Sequence, residues 1–330
     1  HENLPGEMCE KKMICYLLNY VSNKKGFIFM AFDGITVAAV AAELKKDLLN
    51  SRIYKIAQPE SDELIITLKT TDGGQKRLLL SADASLPLTY FTSQNKPSPM
   101  TAPSFTMLLR KHLQNGRITG ITQPGLERII ELHVEHYNDM GDLCHKRLII
   151  ELMGKHSNII FCDDNNMILD SIKHVSCNVS SVREVLPGRP YFIPHTQDKL
   201  DPLTISREDF MEKVCGRSNA VSKALYQTLT GFSPVMAQEL CYRASIDGND
   251  DVQTLDENTR EQLYTEFTRL MEQIRREEFT PVIVFKGDEP VEYGVLPFSQ
   301  YGEGFTTRTF ESVSEMLETY YASRDVITRI

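Results

Sequence analysis

The residue types best suited to chemistry in this sequence are two histidines three positions apart, His133 and His136, with carboxylates at Glu131 and Glu135. Histidines and carboxylates bind a metal ion or transfer protons when they meet at one point. The residues around them alternate between apolar and polar types, which predicts a β-strand on which positions three apart face opposite ways. The pattern favours an exposed polar strand, and no metal site is predicted.

Motifs of known catalytic classes are missing from the 330 residues. The sequence contains no G-x-S-x-G nucleophile motif, no H-E-x-x-H zinc motif, no G-x-x-x-x-G-K phosphate loop and no dinucleotide-binding fingerprint. We therefore expect a binding protein that needs no cofactor, and not an enzyme.

One segment, at residues 225–237, has the pattern of a phosphate-binding helical hairpin. Two helical stretches flank a turn that contains Gly231 and Ser233, which resembles a helix-hairpin-helix. Such hairpins present backbone N–H groups at a helix N-terminus, where the helix dipole favours an anion. A hairpin used only for packing is the alternative, since the neighbouring residues are acidic and acidity weakens phosphate binding.

The charges argue against a uniformly basic nucleic-acid binder. The net charge is −9, yet residues 30–190 carry 18 basic and 18 acidic side chains, whereas residues 191–330 carry 14 basic against 24 acidic ones. The excess acid is thus C-terminal. Short basic clusters in the neutral part, such as Arg110-Lys111 and Lys155-His156, leave room for local anion binding.

Cysteine and hydropathy patterns indicate a reduced, cytoplasmic protein that does not enter a membrane. The seven cysteines lack C-x-x-C spacing, and no apolar run approaches the about 18 residues of a membrane-spanning helix. Residues 1–29 are acidic at their start and have no cleavage site for a signal peptide. We interpret them as extraneous or upstream residues, with the fold beginning at Met30.

Apolar periodicity and turn residues predict an α+β fold, with a sandwich-like arrangement of about nine short strands and two main helices. One helix runs from Gly34 to about residue 49, and a second covers residues 105–113. The predicted strands are 52–59, 63–70, 76–82, 117–123, 126–134, 148–153, 158–162 and 167–174.

A proline-rich stretch at residues 185–194 predicts the end of this first domain, at about residue 190. The helical spacing of apolar residues over 205–278 predicts an all-α domain that contains the helical hairpin. Residues 280–310 return to short strands, and residues 311–330 read as the start of another helix.

Several separated motifs together resemble the NFACT family, whose bacterial members are the RqcH proteins, also called fibronectin-binding protein A homologues. The motifs are MAFDG at 30–34, MLLRKHL at 107–113, ERII at 127–130, ELMGKHSNII at 151–160, DSIKH at 170–174, SSVREVLPG at 180–188 and GFSP at 231–234. The resemblance implies an N-terminal NFACT domain, a helix-hairpin-helix domain and a helix that leads toward a coiled coil.

The resemblance also implies a role in ribosome-associated quality control. Members of the family bind a large ribosomal subunit that is obstructed by peptidyl-tRNA, and they recruit charged tRNA so that the stalled chain is extended. In bacteria the tRNA carries alanine, and the alanine tail marks the chain for degradation. A non-catalytic adaptor is expected, since the ribosome performs the chemistry.

The family's tRNA-binding residues include an aspartate in the opening motif, which corresponds to Asp33, and an Asp-Arg pair, which is Glu127-Arg128 here. An arginine binds a phosphate bidentately or stacks on a base, and carboxylates accept hydrogen bonds from hydroxyl or exocyclic amino groups. A local salt bridge is the alternative for Arg128. Further candidates for the same RNA-binding surface are Arg110, Lys111, Lys155, His156 and Arg183.

Two other functional classes stay open. The historical family name suggests a surface adhesin that binds fibronectin, although export signals and disulfides are missing from the sequence. NFACT domains also resemble formamidopyrimidine-type DNA glycosylases, but those enzymes use an N-terminal proline, and Met30-Ala31 stands at the predicted start here.

Overall fold

The computed structural model describes residues 32–194 and 198–328, so the predicted leader at residues 1–29 lies outside the described part. The chain divides into two compact units. We call one the sheet unit, which comprises Gly34–Asp198 and the chain from Phe310 onward, and the other the helical unit, whose described residues are Phe32, Asp33 and Lys199–Thr309.

The sheet unit contains the predicted mixture of strands and helices. Its elements are α1 (Gly34–Leu48), β1 (Arg52–Glu60), β2 (Glu63–Lys69), β3 (Gln75–Ser81), β4 (Leu88–Phe91), α2 (Ser104–Leu113), β5 (Arg117–Thr122), β6 (Ile129–Tyr137), β7 (Leu143–Glu151), β8 (Asn158–Asp163) and β9 (Ile168–Ser171). The α+β prediction is confirmed. Strand β4 is the one that the sequence does not predict, because its four residues are too few to establish a period.

Hydrogen bonds connect the nine strands into one antiparallel sheet, in the order β4-β3-β2-β1-β5-β6-β7-β8-β9. Chain neighbours pair except β4 and β5, between which α2 is inserted. Strands β1 and β5 meet through one residue pair, Arg52 with Arg117, so the sheet has a four-stranded and a five-stranded lobe. The predicted sandwich therefore takes the form of a single hydrogen-bonded sheet.

Alternate residues of strand β6 point to the two faces of the five-stranded lobe, and the two faces differ chemically. Leu132 and Val134 are buried on one of them. Helix α2 covers the end of the same face, where the ring of His112 lies 6.0 Å from the ring of His136. We call this the helix face and the opposite one the outer face, to which the odd-numbered residues of β6 point.

One end of the outer face is covered by residues 175–193, whose apolar side chains pack on the strands. The cluster consists of Ile129, Ile149, Ile160, Cys162, Ile168, Val185 and Tyr191, all less than a tenth exposed. Glu151 lies beside the cluster with its side chain fully buried. Its carboxylate pairs with the guanidinium of Arg183 and accepts a hydrogen bond of 2.9 Å from the Tyr191 hydroxyl.

The buried carboxylate of Glu151 makes residues 175–193 dependent on an ion pair. Burial raises the pKa of Glu151, while the adjacent Arg183 guanidinium opposes that rise. A buried charge that loses its partner is strongly destabilising, because nothing replaces the lost solvation. Arg183 and Tyr191 therefore hold the covering segment on the sheet.

The helical unit consists of a short helix with a π-helical continuation, three longer helices and a small sheet. The elements are α3 (Arg207–Asp209, continued by Phe210–Val214), α4 (Val221–Thr228), α5 (Pro234–Arg243), α6 (Glu257–Arg275), β10 (Val282–Lys286), β11 (Glu289–Gly294) and β12 (Thr306–Thr309). The three strands pair in the order β11-β10-β12. In the described chain, no helix combines the length and the apolar character needed to cross a membrane.

Helices α4 and α5 lie on either side of the turn at which the sequence predicts a helix-hairpin-helix. Gly231 has a φ of 86°, a conformation that glycine adopts without the steric cost of a side chain. The hydroxyl of Ser233 accepts a hydrogen bond of 3.3 Å from the Met236 N–H and so caps α5, and Pro234 occupies the first helical turn. Ser233 is 4% exposed, so its side chain serves the hairpin itself.

The last described helix, α7 (Val313–Thr328), packs within the sheet unit. The carboxylate of Glu43 on α1 accepts from the Val313 N–H at 2.9 Å and from the Ser314 hydroxyl at 2.6 Å, which satisfies donors at the helix start. A helix at residues 311–330 is confirmed by α7, and the coiled coil expected after it lies outside the described residues.

A double-mutant cycle tests the ion pair beneath residues 175–193. We expect Glu151→Gln and Arg183→Met each to lower the free energy of unfolding by about 3 kcal/mol, because each leaves a buried group without its partner. The double variant should lose clearly less than the sum. Urea denaturation measures this. Arg189→Met removes an exposed arginine paired with Glu184 and should cost less than about 0.5 kcal/mol. Additive losses would contradict the coupling.

The capping role of Ser233 predicts a change in stability without a change in RNA binding. Ser233→Ala should lower the free energy of unfolding by about 1 kcal/mol, since it removes the acceptor for the Met236 N–H. Ser218→Ala, at an exposed position, is the matched control and should have little effect. Thermal unfolding and tRNA binding of the folded variants are measured together. Unchanged stability with weaker tRNA binding would instead identify the hydroxyl as a phosphate ligand.

Candidate nucleic-acid interface

The side chain of Gln123 holds together two segments that are far apart in the sequence. Its amide nitrogen Nε2 donates to the carbonyl oxygen of Gly34 at 2.9 Å and to the carbonyl oxygen of Glu127 at 2.8 Å. Asp33 directly precedes Gly34, and Arg128 directly follows Glu127. The start of α1 and the predicted Glu127-Arg128 pair are thereby brought side by side.

Backbone hydrogen bonds fix the position of the Glu127-Arg128 pair between β5 and β6. The Glu127 N–H donates to the carbonyl oxygen of Pro124 at 3.0 Å, which closes a tight turn. Gly125 in this turn has a φ of 55°. The carbonyl oxygen of Arg128 accepts from the Leu152 N–H at 2.8 Å. The side chains of Glu127 and Arg128 are both half-buried, so each is in partial contact with solvent.

Lys155 and His156 lie at the same end of β6 as Arg128. They belong to a 3₁₀ turn, Gly154–His156, that follows Leu152 in the chain, and both are exposed. We call Gly34, Glu127, Arg128, Lys155 and His156 the edge site, and Asp33 adjoins it through the chain. Asp33 is 7% exposed and stands directly before α1, where a carboxylate commonly accepts helix N–H groups.

The edge site combines groups suited to recognising RNA. A guanidinium can bind a phosphate with two hydrogen bonds or stack on an unpaired base. Carboxylates can accept from the 2′-hydroxyl and from base amino groups, which are accessible in RNA. Asp33, Glu127 and Arg128 each also take part in interactions within the protein, so a ligand here must extend or compete with those contacts.

Arg183, in contrast, serves the fold. Its guanidinium pairs with the buried carboxylate of Glu151 and donates to the carbonyl oxygen of Phe192 at 2.7 Å. Its side chain is only 10% exposed. This placement does not favour the prediction that Arg183 contacts RNA.

Arg110 and Lys111 lie at the other end of β6, far from Arg128. Both are exposed in the last turn of α2, where the Arg110 Nε donates to the carbonyl oxygen of Ile56 at 2.9 Å. Strand β6 has nine residues, and eight steps of a strand span about 26 Å. The predicted RNA-binding residues of the sheet unit therefore form two groups at opposite ends of β6. Gly231 and Ser233 belong to the helical unit.

The histidine pair on β6 does not form a common site. His133, whose side chain is 34% exposed, lies on the outer face, where its Nε2 is 2.8 Å from the Thr122 hydroxyl. Burial lowers the pKa of His133, with Glu131 acting in the opposite direction. His136 faces α2 and is 6% exposed, so the prediction of an exposed strand is wrong at this residue. Within the described ranges, no group of three or more His, Cys, Asp or Glu residues is placed to hold a metal ion.

Three residues that the sequence does not select contribute to the two ends of β6. Gln123 directly precedes Pro124-Gly125. This dipeptide predicts a turn, but nothing near it in the sequence predicts the hydrogen bond from Gln123 to Gly34. His112 and Lys146 appear in the sequence only as members of short basic runs. Their contacts with His136 depend on tertiary packing.

Comparison with known proteins gives consistent matches over most of the chain. The family described as NFACT N-terminal and middle domains matches residues 33–330. The Rqc2 homolog RqcH of Bacillus subtilis (strain 168) is 34% identical over 300 residues, which are 90% of this chain and 50% of that protein. The human ribosome quality control complex subunit NEMF is 25% identical over 218 residues, which are 66% of this chain and 19% of that protein.

A solved structure agrees with these matches. The N-terminal part of the fibronectin/fibrinogen-binding protein from Streptococcus suis has a TM-score of 0.72 and 32% identity, and the match covers 88% of this chain and 99% of that one. The chain spans about half the length of its bacterial relative from Bacillus subtilis. Because the family match extends from Asp33 through both units, this chain belongs to the NFACT family.

Proposed function

We propose that the chain is part of a ribosome quality control factor whose sheet unit binds tRNA at the edge site. The single observation that carries the proposal is the pair of hydrogen bonds from Gln123, which brings Gly34 next to the Glu127-Arg128 pair. The similarity to RqcH and to the human ribosome quality control complex subunit supports the same cellular role.

In this proposal the protein acts as an adaptor and performs no bond chemistry. The sheet unit holds a charged tRNA, alanyl-tRNA in bacteria, and the helical unit helps to position it. The complete protein binds the large ribosomal subunit that is obstructed by peptidyl-tRNA, and the ribosome adds alanine to the stalled chain. The function is cytoplasmic and requires no cofactor.

The edge site is locally balanced in charge, which suits selective binding of a structured RNA. Arg128 supplies a phosphate-binding or base-stacking group, and Lys155 and His156 supply exposed donors nearby. The carboxylate of Glu127 offsets this positive charge and disfavours indiscriminate attraction of nucleic acid. Shape and hydrogen bonding would then contribute more to binding than net charge does.

A surface adhesin is the second candidate, because the similar Streptococcus suis protein carries fibronectin and fibrinogen in its name. The two candidates are distinguished by measuring binding of the purified chain to immobilised fibronectin and to tRNA at physiological salt. Saturable fibronectin binding without tRNA binding would favour the adhesin.

Arg128→Ala is expected to weaken tRNA binding about tenfold and to reduce the slope of the salt dependence by about 1, because one charge-assisted contact is lost. Fluorescence anisotropy with labelled tRNA over a range of salt concentrations measures both. In cells, the same change in the full-length protein should abolish alanine tailing of stalled chains.

The matched control is Arg276→Ala, which removes an equal charge from an exposed arginine of the helical unit. This variant should retain the affinity of the unmodified chain for tRNA. Equal affinity and equal salt slope for Arg128→Ala and Arg276→Ala would rule out the edge site.

Substitutions at Glu127 test whether glutamate can take the place of the aspartate that the family has at this position. Glu127→Asp should keep tRNA affinity within about threefold, whereas Glu127→Gln should lower it about fivefold, because a hydrogen bond to a charged acceptor is worth about 1 kcal/mol more than one to a neutral acceptor. Anisotropy again provides the readout. Indistinguishable affinities for the Asp and Gln variants would show that the negative charge plays no part.

A further inference from the structure

A second cluster of basic groups lies at the far end of β6, outside the edge site. It consists of His112 in the last turn of α2, His136 near the end of β6 and Lys146 on β7, and we call it the His-Lys cluster. The Lys146 Nζ is 3.2 Å from the His136 Nε2, and the His112 and His136 rings lie 6.0 Å apart. Three elements of the fold thus bring cationic groups to one point.

The hydrogen bonds of His136 define its protonation state in the free protein. Its Nε2 faces the Lys146 ammonium, which can only donate, so we assign the ring proton to Nδ1, 3.4 Å from the carbonyl oxygen of Tyr137. The Nε2 atom is then the acceptor for the ammonium of Lys146. Burial and the nearby Lys146 lower the pKa of both His112 and His136. Both effects favour the neutral imidazole, and a bound anion would act against them.

Charged groups of both signs surround the cluster. Helix α2 contributes Lys111 and His112, β7 contributes Cys144, His145 and Lys146, the β6–β7 loop contributes Asp139, and β8 contributes Asp163 opposite Lys146. The Asp163 carboxylate accepts from the backbone N–H groups of Asn165 and Met167. Among the residues that the structure describes, no ion pair joins Lys146, His112 or His136 to a carboxylate.

The cluster is accessible to solvent on one side and packs against an apolar ring on the other. His136 is 6% exposed, whereas His112 and Lys146 are half-buried and reach solvent. The buried ring of Phe161 lies 5.9 Å from the ring of His112, on the side of the cluster that faces the core. Low polarity beneath the cationic groups strengthens their attraction for an anion.

We propose that the His-Lys cluster is a second phosphate-binding subsite, which binds the phosphodiester backbone of the same RNA that occupies the edge site. An oxyanion can accept from the Lys146 ammonium, which the Nε2 atom of His136 holds in place, and from His112 once it is protonated. The inference rests on the proposed function for its ligand, although the cluster itself does not depend on Arg128.

Two features favour RNA over a small free anion. The distance from Arg128 to this end of β6 is about 26 Å, which an extended polyanion can span and a single phosphate cannot. Tyr137, the residue after His136, is 72% exposed at the hairpin tip. As an odd-numbered residue of β6 it points to the outer face, so its ring can stack a base of an RNA that passes around this end of the sheet.

The first test uses sulfate, which does not change its charge between pH 5.5 and 8, as the probe. Histidine side chains of the whole chain are titrated by NMR with and without sulfate. We expect sulfate to raise the pKa of His112 and His136, and Lys146→Met to abolish the response. His174, which pairs with Asp170, is the internal control. Histidine titrations unaffected by sulfate would overturn the subsite.

The second test measures tRNA affinity at pH 6 and pH 8 for the unmodified chain, Lys146→Met, His112→Asn and Arg128→Ala. Binding should be tighter at pH 6, because protonation of the His112 imidazole accompanies binding. Lys146→Met and His112→Asn should each weaken binding about fivefold and reduce this pH dependence. His112→Asn, at a half-buried position, is the second variant if Lys146→Met fails to fold, as judged by circular dichroism.

The outcomes separate the subsite from the proposed function. Loss of affinity in Arg128→Ala alone, with both cluster variants unchanged, would overturn the subsite and leave the proposed function intact. A sulfate response with unchanged tRNA affinity would mean an adventitious ion only. If the unmodified chain binds no tRNA, the proposed function fails and the assignment of RNA as the ligand fails with it, while the sulfate titration still reports whether the cluster binds an anion.

Discussion

Two hydrogen bonds from one nitrogen atom, Nε2 of Gln123, determine how the edge site is assembled. They join the start of α1 to the turn before β6, although Gly34 and Gln123 are 89 positions apart in the sequence. Both acceptors are backbone carbonyls, so the link depends on the amide of Gln123 and not on the side chains of Gly34 and Glu127. If that amide were lost, both carbonyls would lose this donor, and the charged groups beside them would lose the link that holds their relative position.

The charges of the sheet unit are distributed so that most of the outer face is neutral. Arg117 lies 2.6 Å from Glu135, and Arg147 lies 3.1 Å from Glu131, which leaves little charge to attract a polyanion there. The ends of β6 differ, because one carries the mixed charges of the edge site and the other carries the His-Lys cluster. A nearly neutral unit in an acidic chain can therefore still provide local anion-binding surfaces.

Several charged and polar groups that resemble ligand-binding residues are used to hold the fold together. Arg183 neutralises Glu151 beneath the covering segment, and Ser233 caps the helix after Gly231. In the helical unit the buried carboxylate of Glu239 accepts from the backbone N–H groups of Ser299 and Gln300. Burial raises the pKa of Glu239, and these donors and Arg243 act against that rise. In each case a polar side chain supplies a partner for a buried charge or a backbone N–H group, which a folded chain requires.

The sequence by itself determined the local elements and the family. Apolar alternation and turn residues identified eight of the nine strands of the large sheet, and helical spacing identified α1 and α2, because these signals depend on near neighbours in the chain. The separated motifs also identified the NFACT family. Asp33 and the Glu127-Arg128 pair were selected from the same motifs.

Tertiary structure decided which of the selected residues lie together. Lys155 and His156 lie at the same end of β6 as Arg128, Arg110 and Lys111 lie at the opposite end, and Arg183 is buried in an ion pair. His136 was predicted to be exposed and is buried against α2, since a periodic pattern gives the face of a strand but not the helix that covers it. Contacts such as those of Gln123 and Lys146 join elements that are distant in the chain, and no local pattern encodes them.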